Sequence, residues 1–210
     1  MVPAVGGAAL LVVLAGLLGL ISRAHGLASN EATLLQIHRL YSPSGGALAA
    51  RISRTTDPPY VFVATLIVAL VAWLRGAKPF GIGLAAAAIS AMVLATAFKF
   101  GFDEPRPHVF NGPLVEHTPG FPSGHAVLFT AILPVIAWAI SHTARSGAAS
   151  LAGWSLCALL ILGIGFDRLY LGVHWPTDVI GGYMIGLACA TLGVLATRST
   201  GLNLISRQAS

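Results

Sequence analysis

Residues 79–98 read PFGIGLAAAAISAMVLATAF, a stretch of twenty residues without a charged side chain. A helix needs about 20 apolar residues to cross the hydrocarbon core of a bilayer, so this stretch predicts a transmembrane helix. Lys99 follows it directly and begins a short polar segment. The run therefore predicts a helix that spans a membrane and delivers charged groups to one of its faces.

Working outward, the rest of the chain repeats this pattern. Uncharged runs occupy 1–22, 58–74, 79–98, 126–141, 146–166 and 179–197. The composition agrees, since 56% of the residues are hydrophobic and 9% are charged, against roughly 25% charged in soluble domains. We therefore predict an all-α membrane protein with six transmembrane helices, the first of which is retained rather than cleaved as a signal peptide.

The segment 23–57 between the first two runs is more polar, because it carries several arginines, with Pro43 and the pair Gly45–Gly46 in its middle. Asn30 is suited to cap a short helix. Leu34, Ile37 and Tyr41 would then share one apolar face. This pattern predicts an amphipathic helix that lies at the membrane interface.

Length and charge narrow the remaining possibilities. The 210 residues suit a single domain over 1–210, with a polar tail from residue 198 that we expect to fray. The formal charge of +5 comes from residues scattered between apolar runs rather than from a basic tract, so nucleic acid is not an expected partner. Cys157 and Cys189 lie inside apolar runs and are interpreted as small buried residues.

Three polar clusters emerge at one predicted face of the membrane. Lys99 and Arg106 follow the third run, Pro-Ser-Gly-His at 122–125 opens the fourth, and a third cluster precedes the sixth. That third cluster contains Arg168, His174 and Asp178. Because an even number of helices separates the clusters, we expect them to meet in one site.

These residue types together favour a phosphate ligand. Arginine binds tetrahedral oxyanions through paired hydrogen bonds. Pro122 and Pro176 are suited to be the first residues of helices, whose N-termini attract anions. Gly124 would let the backbone approach an anion closely.

The histidines suggest the chemistry. Asp178 lies four residues after His174, within reach across one helical turn, and can hold one ring nitrogen while the other attacks. His125 is the candidate general acid. Asp103, Glu104 and Glu116 show no metal-ligand spacing and are interpreted as solvated or as balancing nearby cations.

The three motifs resemble the phosphatidic acid phosphatase type 2 (PAP2) superfamily. Its pattern is Lys, six residues, Arg-Pro; then Pro-Ser-Gly-His; then Ser-Arg, five residues, His, three residues, Asp. This sequence has KFGFDEPRP at 99–107, PSGH at 122–125 and DRLYLGVHWPTD at 167–178. One position departs, because Asp167 stands where serine is usual, which adds a negative charge near the anion site.

The resemblance implies a metal-independent lipid phosphatase or diphosphatase of the bacterial branch, with no cofactor. His174 would form a phosphohistidine, Asp178 would orient it, and His125 would protonate the leaving oxygen. The phosphate-binding residues would be Lys99, Arg106, Ser123, Gly124 and Arg168.

Two other functions and several substrates remain open at this point. A phosphotransferase of the same superfamily would pass the phosphoryl group to another lipid. A transporter would instead scatter its charges at mid-membrane or in repeated broken helices. Candidate substrates are phosphatidic acid, phosphatidylglycerol phosphate, undecaprenyl diphosphate and a lipid A phosphate, and the oligomeric state is left open.

Loop charges predict the orientation of the chain. Arg75, Lys78 and Arg145 lie in short loops on the same side as Arg198 and Arg207. The opposite side carries Lys99, Arg106, Arg168 and the arginines of 23–57, and a plain count of charges would invert the topology. With the first three set aside as functional and the others as held by the interfacial helix, the positive-inside rule makes the side of Arg75 cytoplasmic, with both termini inside. The phosphate site is then expected on the non-cytoplasmic face of the plasma membrane.

Overall fold

The computed structural model describes residues 2–25, 28–108, 113–144 and 146–208, and its regular structure there is entirely helical. Arg145, on which part of the orientation depends, lies outside the described residues. The helices are α1 (Val2–His25), α2 (Ala28–His38), α3 (Pro43–Thr55), α4 (Pro58–Leu74), α5 (Lys78–Phe102), α6 (Gly124–Thr143), α7 (Gly147–Tyr170) and α8 (Pro176–Gln208).

The predicted all-helical membrane architecture is confirmed. Within the described residues, α1, α5, α6, α7 and α8 are each long and apolar enough to cross a bilayer. A sixth span results when α3 and α4 are taken together as one bent unit, with a 46° angle between them. The predicted run 58–74 coincides with α4, which has 17 residues of its own.

The segment 23–57 forms two helices where one was predicted. Pro43 explains the division, because proline disfavours helical backbone in the residue before it, and Ser42 instead caps α3 by accepting from the Gly45 backbone N–H at 3.2 Å. The predicted role of Asn30 was also wrong. Asn30 lies inside α2, and its side-chain oxygen accepts from the backbone N–H of Thr177, so it caps α8.

Pro122 and Pro176 were each predicted to be the first residue of a helix, and the structure confirms this for only one of them. Pro176 is the first residue of α8, as expected. Pro122 is not the first residue of α6, which begins at Gly124 with Ser123 at its N-cap in an extended conformation. The Ser123 backbone N–H donates to the Asp178 carbonyl at 3.0 Å, which holds Ser123 outside the helix. The C-terminal tail from residue 198 was expected to fray, but α8 continues to Gln208.

Helix α8 lies at the centre of the bundle, against α1, α5 and α6. Gly182 and Gly186 face α6, and a Cβ on Gly186 would lie 2.6 Å from both Thr130 Cβ and the Val127 carbonyl oxygen. Small residues four apart let two membrane helices pack backbone against backbone. This close packing brings the N-terminal ends of α6 and α8 together.

Cys157 and Cys189 are buried, as predicted.

Candidate active site

His174 and Asp178 form a buried pair at the start of α8. His174 Nδ1 lies 3.1 Å from Asp178 Oδ2, and that same oxygen accepts from the Trp175 backbone N–H at 2.9 Å. The predicted reach across one helical turn is therefore present. Asp178 is fully buried, so its two contacts on Oδ2 hold the carboxylate in one orientation.

The other nitrogen of His174 faces an arginine. Arg106 Nη1 lies 3.1 Å from His174 Nε2, and because a guanidinium can only donate, Nε2 must accept. The proton of the neutral ring is therefore on Nδ1, towards Asp178. Burial, together with the positive charges of Arg106, Lys99 and Arg168, lowers the pKa of His174 well below its ordinary value. The imidazole is thus neutral, with an unprotonated Nε2.

Arg106 is held by the backbone on both of its sides. Its Nη1 donates to the Val173 carbonyl at 2.7 Å, and its Nε donates to the Thr118 carbonyl at 2.6 Å. Nη2 donates to the Thr118 hydroxyl at 3.0 Å. The guanidinium is therefore oriented before any anion binds, which lowers the entropy cost of binding one.

Arg168 is fully buried at the end of α7, where its neighbour Asp167 accepts from both Nε and Nη2. The carboxylate at the position where the family usually has serine thus partners the arginine. Arg168 Nη1 points elsewhere, to His125 and to Glu116, whose Oε1 lies 3.9 Å away.

Glu116 lies between the two arginines. Its Oε2 is 3.6 Å from Arg106 Nη2, while its Oε1 approaches Arg168. The interpretation that Glu116 balances nearby cations is therefore correct. Its carboxylate bridges the two guanidinium groups that would be expected to hold a phosphoryl group.

His125 occupies the first turn of α6 and is buried. Its Nδ1 lies 3.4 Å from Arg168 Nη1, and its Nε2 lies 3.3 Å from the backbone carbonyl of Ser53 on α3. Since Arg168 can only donate, the neutral ring carries its proton on Nε2. Helix α3, which was not predicted as a helix and lies in the segment 23–57 predicted to be interfacial, therefore contacts a candidate catalytic residue.

The remaining predicted phosphate ligands lie beside these groups. Lys99 Nζ donates to the Pro119 carbonyl at 2.5 Å. The Ser123 hydroxyl is buried and has no hydrogen-bond partner within the described part of the chain. Gly124 begins α6, and a Cβ there would lie 3.9 Å from Lys99 Cε. The geometry thus brings all eight predicted site residues to one end of the bundle.

A cavity of about 330 Å³ opens beside the two histidines. Lys99, Arg106 and Glu116 line its polar end, whereas its apolar walls come from α4, α5 and α6. On α5 the lining extends from Lys99 back to Ala91, a distance of about 12 Å at 1.5 Å per residue. The cavity can therefore hold a charged head group together with the first carbons of an apolar chain.

A family model described as the PAP2 superfamily matches residues 80–200. The chain belongs to the PAP2 superfamily. The match includes the residues from Lys99 to Asp178 that assemble at the cavity.

Individual PAP2 proteins agree with this membership. An undecaprenyl-diphosphatase of Sulfolobus acidocaldarius is 31% identical over 139 residues, which cover 61% of this chain and 60% of that protein. The match therefore spans less than two thirds of the relative.

Two solved PAP2-type structures are also similar. The phosphatidylglycerolphosphate phosphatase of Bacillus subtilis has a TM-score of 0.79 at 20% identity, over 91% of this chain and 96% of that one. Aquifex aeolicus LpxE has a TM-score of 0.60 at 25% identity, over 83% and 98%. The first likeness, at its low identity, concerns the fold alone.

Sequence reasoning missed several contacts of this PAP2 site. The Ser53 carbonyl beside His125 and the Thr118 carbonyl and hydroxyl beside Arg106 were not anticipated. A backbone carbonyl occurs at every residue, so no sequence signal marks the one that a folded chain will use. Among the described residues, no group of three or more His, Cys, Asp or Glu is arranged to hold a metal ion.

Proposed function

We propose that this chain hydrolyses a lipid phosphate monoester or an isoprenyl diphosphate through a phosphohistidine on His174. The observation that carries the proposal is the His174–Asp178 pair, which faces a cation-lined pocket that continues into an apolar cavity between membrane helices. The names of the PAP2 relatives, an undecaprenyl-diphosphatase and a phosphatidylglycerolphosphate phosphatase, support this class of substrate.

In the first step, the lone pair of His174 Nε2 attacks phosphorus and the bond to the leaving oxygen breaks. Nε2 must first leave its contact with Arg106, and a phosphoryl oxygen is the stronger acceptor for that guanidinium. Asp178 accepts a hydrogen bond from Nδ1–H, which keeps its proton, and the carboxylate stabilises the positive charge that develops on the ring. Lys99, Arg106 and Arg168 neutralise the charge on the equatorial oxygens, with the Ser123 hydroxyl and the backbone at Gly124 as further donors.

His125 enters this step as an imidazolium, donates one proton to the leaving oxygen and is left as the neutral ring; the leaving group departs as a lipid alcohol or as a lipid monophosphate. In the second step, water attacks the phosphohistidine, the P–N bond breaks, and His125 takes a proton from the water. Inorganic phosphate is the second product, His125 is again an imidazolium, and His174 is again the neutral ring.

The proposal includes a location. We assign residues 1–210 to one domain in the plasma membrane, with the site on its non-cytoplasmic face. The polar cluster lies at the ends of α5, α7 and α8, at the depth of lipid head groups, so a substrate can keep most of its tail in the bilayer.

The test is phosphate release in mixed micelles from long-chain phosphatidic acid, phosphatidylglycerol phosphate and undecaprenyl diphosphate, with glycerol phosphate as the water-soluble comparison. We expect kcat/KM to be much higher for the long-chain substrates, because the shared membrane raises their effective concentration. His174→Ala should release no phosphate, whereas His142→Ala, at the far end of α6, should match the wild type.

Two results would reject the assignment. One is equal efficiency on glycerol phosphate and on the long-chain substrates, and the other is substantial release by His174→Ala. A donor with a labelled phosphoryl group distinguishes hydrolysis from transfer. Label that appears in a second lipid rather than in inorganic phosphate would identify a phosphotransferase.

A further inference from the structure

Behind the His174–Asp178 pair lies a second buried polar cluster that does not face the cavity. It consists of Ser22 on α1, Asn30 on α2, Glu104 in the segment after α5, and Thr177 on α8. Each of these side chains is at most 5% exposed. Burying a carboxylate, an amide and two hydroxyls is unfavourable unless they form hydrogen bonds with one another.

The four side chains form a chain of hydrogen bonds in which each donor points towards Glu104. Asn30 Nδ2 donates to Thr177 Oγ1 at 2.9 Å, and Ser22 Oγ donates to Glu104 Oε1 at 2.6 Å. Thr177 Oγ1 and Ser22 Oγ are 2.9 Å apart. Because the single Ser22 hydroxyl proton is already given to Glu104, the proton between the two hydroxyls must come from Thr177.

Glu104 ends this chain as its acceptor and is also tied to the active site through its backbone. Its carbonyl accepts from the Gly120 N–H at 2.7 Å. A Cβ on Gly120 would lie 3.2 Å from Asp178 Oδ2 and 3.3 Å from the Glu104 carbonyl oxygen. Gly120 therefore packs between the Asp178 carboxylate and the Glu104 backbone. Two positions beyond Glu104 is Arg106, which contacts His174.

The other end of the chain is equally close to the chemistry. Thr177 immediately precedes Asp178, and Asn30 holds both the hydroxyl and the backbone N–H of Thr177. The first turn of α8, which carries Asp178, is therefore bonded to α1 and α2 and, through Ser22, to the Arg106 segment.

We infer that Ser22, Asn30, Glu104 and Thr177 are positioning residues, which fix Asp178 and His174 relative to Arg106 through this buried hydrogen-bond chain. None of the four touches the cavity, so their effect is indirect. The inference rests on the proposed function, since it concerns the alignment of the same nucleophile. Helix α1, whose surface is otherwise largely exposed, would then support the active site through Ser22.

Thr177 offers a matched pair of variants. Thr177→Ser keeps the hydroxyl, whereas Thr177→Val keeps the shape of the side chain and removes the hydroxyl. For folded enzyme in detergent, we expect Thr177→Val to lower kcat roughly ten- to a hundredfold, because a misplacement of about 1 Å costs this much. The KM for the lipid should stay within about twofold, since the phosphate ligands are untouched. Thr177→Ser should restore kcat.

Glu104 and Ser22 provide the same test independently, should Thr177→Val not fold. Glu104→Gln keeps an acceptor for Ser22, whereas Glu104→Leu removes it, and only the second should lower kcat. Ser22→Ala combined with Thr177→Val should cost less than the sum of the two single losses, because both interrupt one chain.

The outcomes separate the inference from the proposed function. If the wild type releases phosphate but the kcat per folded molecule of Thr177→Val, Glu104→Leu and Ser22→Ala equals that of the wild type, the positioning role is rejected while the function stands. A lower melting temperature with unchanged kcat gives the same rejection. If the wild type releases no phosphate from any of the lipids, the proposed function fails first and the inference with it.

Discussion

At the residue scale, the two histidines differ in the groups that contact their ring nitrogens. His174 has a carboxylate on Nδ1 and a guanidinium on Nε2. His125 has a guanidinium on Nδ1 and a backbone carbonyl on Nε2. A carboxylate stabilises the ring once it has become cationic, so His174 suits the nucleophile. His125 lacks such a partner and suits the proton donor.

This difference predicts a leaving-group effect for His125→Ala. The variant should lose on the order of 10²–10⁴-fold in the rate of phosphoenzyme formation on a lipid phosphate, whose alkoxide leaves poorly without a proton. An activated aryl phosphate should lose far less. The measurement is single-turnover kinetics on both substrates, and equal losses would contradict the role of His125 as an acid.

Glu116 leads to a prediction about anion affinity. Its carboxylate bridges Arg106 and Arg168, so a phosphoryl group must compete with it for these cations. Glu116→Gln should therefore strengthen inhibition by inorganic vanadate by up to about fivefold, since a partly exposed ion pair contributes at most about 1 kcal/mol. Glu31→Gln, at an exposed position of α2, is the control and should leave the inhibition constant unchanged. Weaker inhibition of the Glu116 variant would show that the carboxylate does not compete.

At the scale of helices, the site depends on how closely α8 packs against α6. Each helix contributes its N-terminal turn, with His125 at one and Asp178 at the other. The Ser123 N–H donates to the Asp178 carbonyl, which joins the two turns directly. Glycines at the interface allow this approach. Helix α3, which is bent by 46° from α4, adds the Ser53 carbonyl that lies beside His125.

Gly186→Ala tests this packing. A Cβ at Gly186 would overlap Thr130 and the Val127 carbonyl, so we expect the variant to destabilise the protein by roughly 1–3 kcal/mol. Gly163→Ala on α7 is the matched control, because a Cβ there has no atom within 4 Å, and it should be neutral or slightly stabilising. Thermal unfolding in detergent measures both, and equal melting temperatures would contradict the packing argument.

At the scale of the whole molecule, polar groups gather at one end of an apolar bundle. Lys99, Arg106, Arg168 and both histidines lie there, whereas the turn at Arg75 connects the opposite ends of α4 and α5. This arrangement differs from the scattered mid-membrane charges that a transporter would require. A single polar end suits an enzyme that receives its substrate sideways from the bilayer.

The orientation of this end is tested by labelling. In a background with Cys157→Ala and Cys189→Ala, Val115→Cys lies on the exposed segment near the site and Arg75→Cys on the opposite turn. An impermeant maleimide applied to right-side-out vesicles should label the first variant at once and the second only after the membrane is permeabilised. The reverse pattern would place the active site on the cytoplasmic face.

The amino-acid sequence by itself determined the apolar runs of the membrane helices and the three motifs that meet at the site. Hydropathy is a local property, so runs such as 79–98 identify spans without knowledge of their neighbours. The spacing between His174 and Asp178 is likewise local, because four residues make one helical turn. The common face of the motifs follows from counting the spans between them.

Only the tertiary structure decided which groups surround these motifs. Asn30 caps α8 rather than its own helix, and the Ser53 carbonyl meets His125 across 72 positions. Glu104, interpreted from the sequence as solvated or charge-balancing, is buried against Ser22. Such contacts join residues that are far apart in the chain through atoms that many other residues also possess. Their partners are therefore chosen by the packing of the helices and not by any pattern in the sequence.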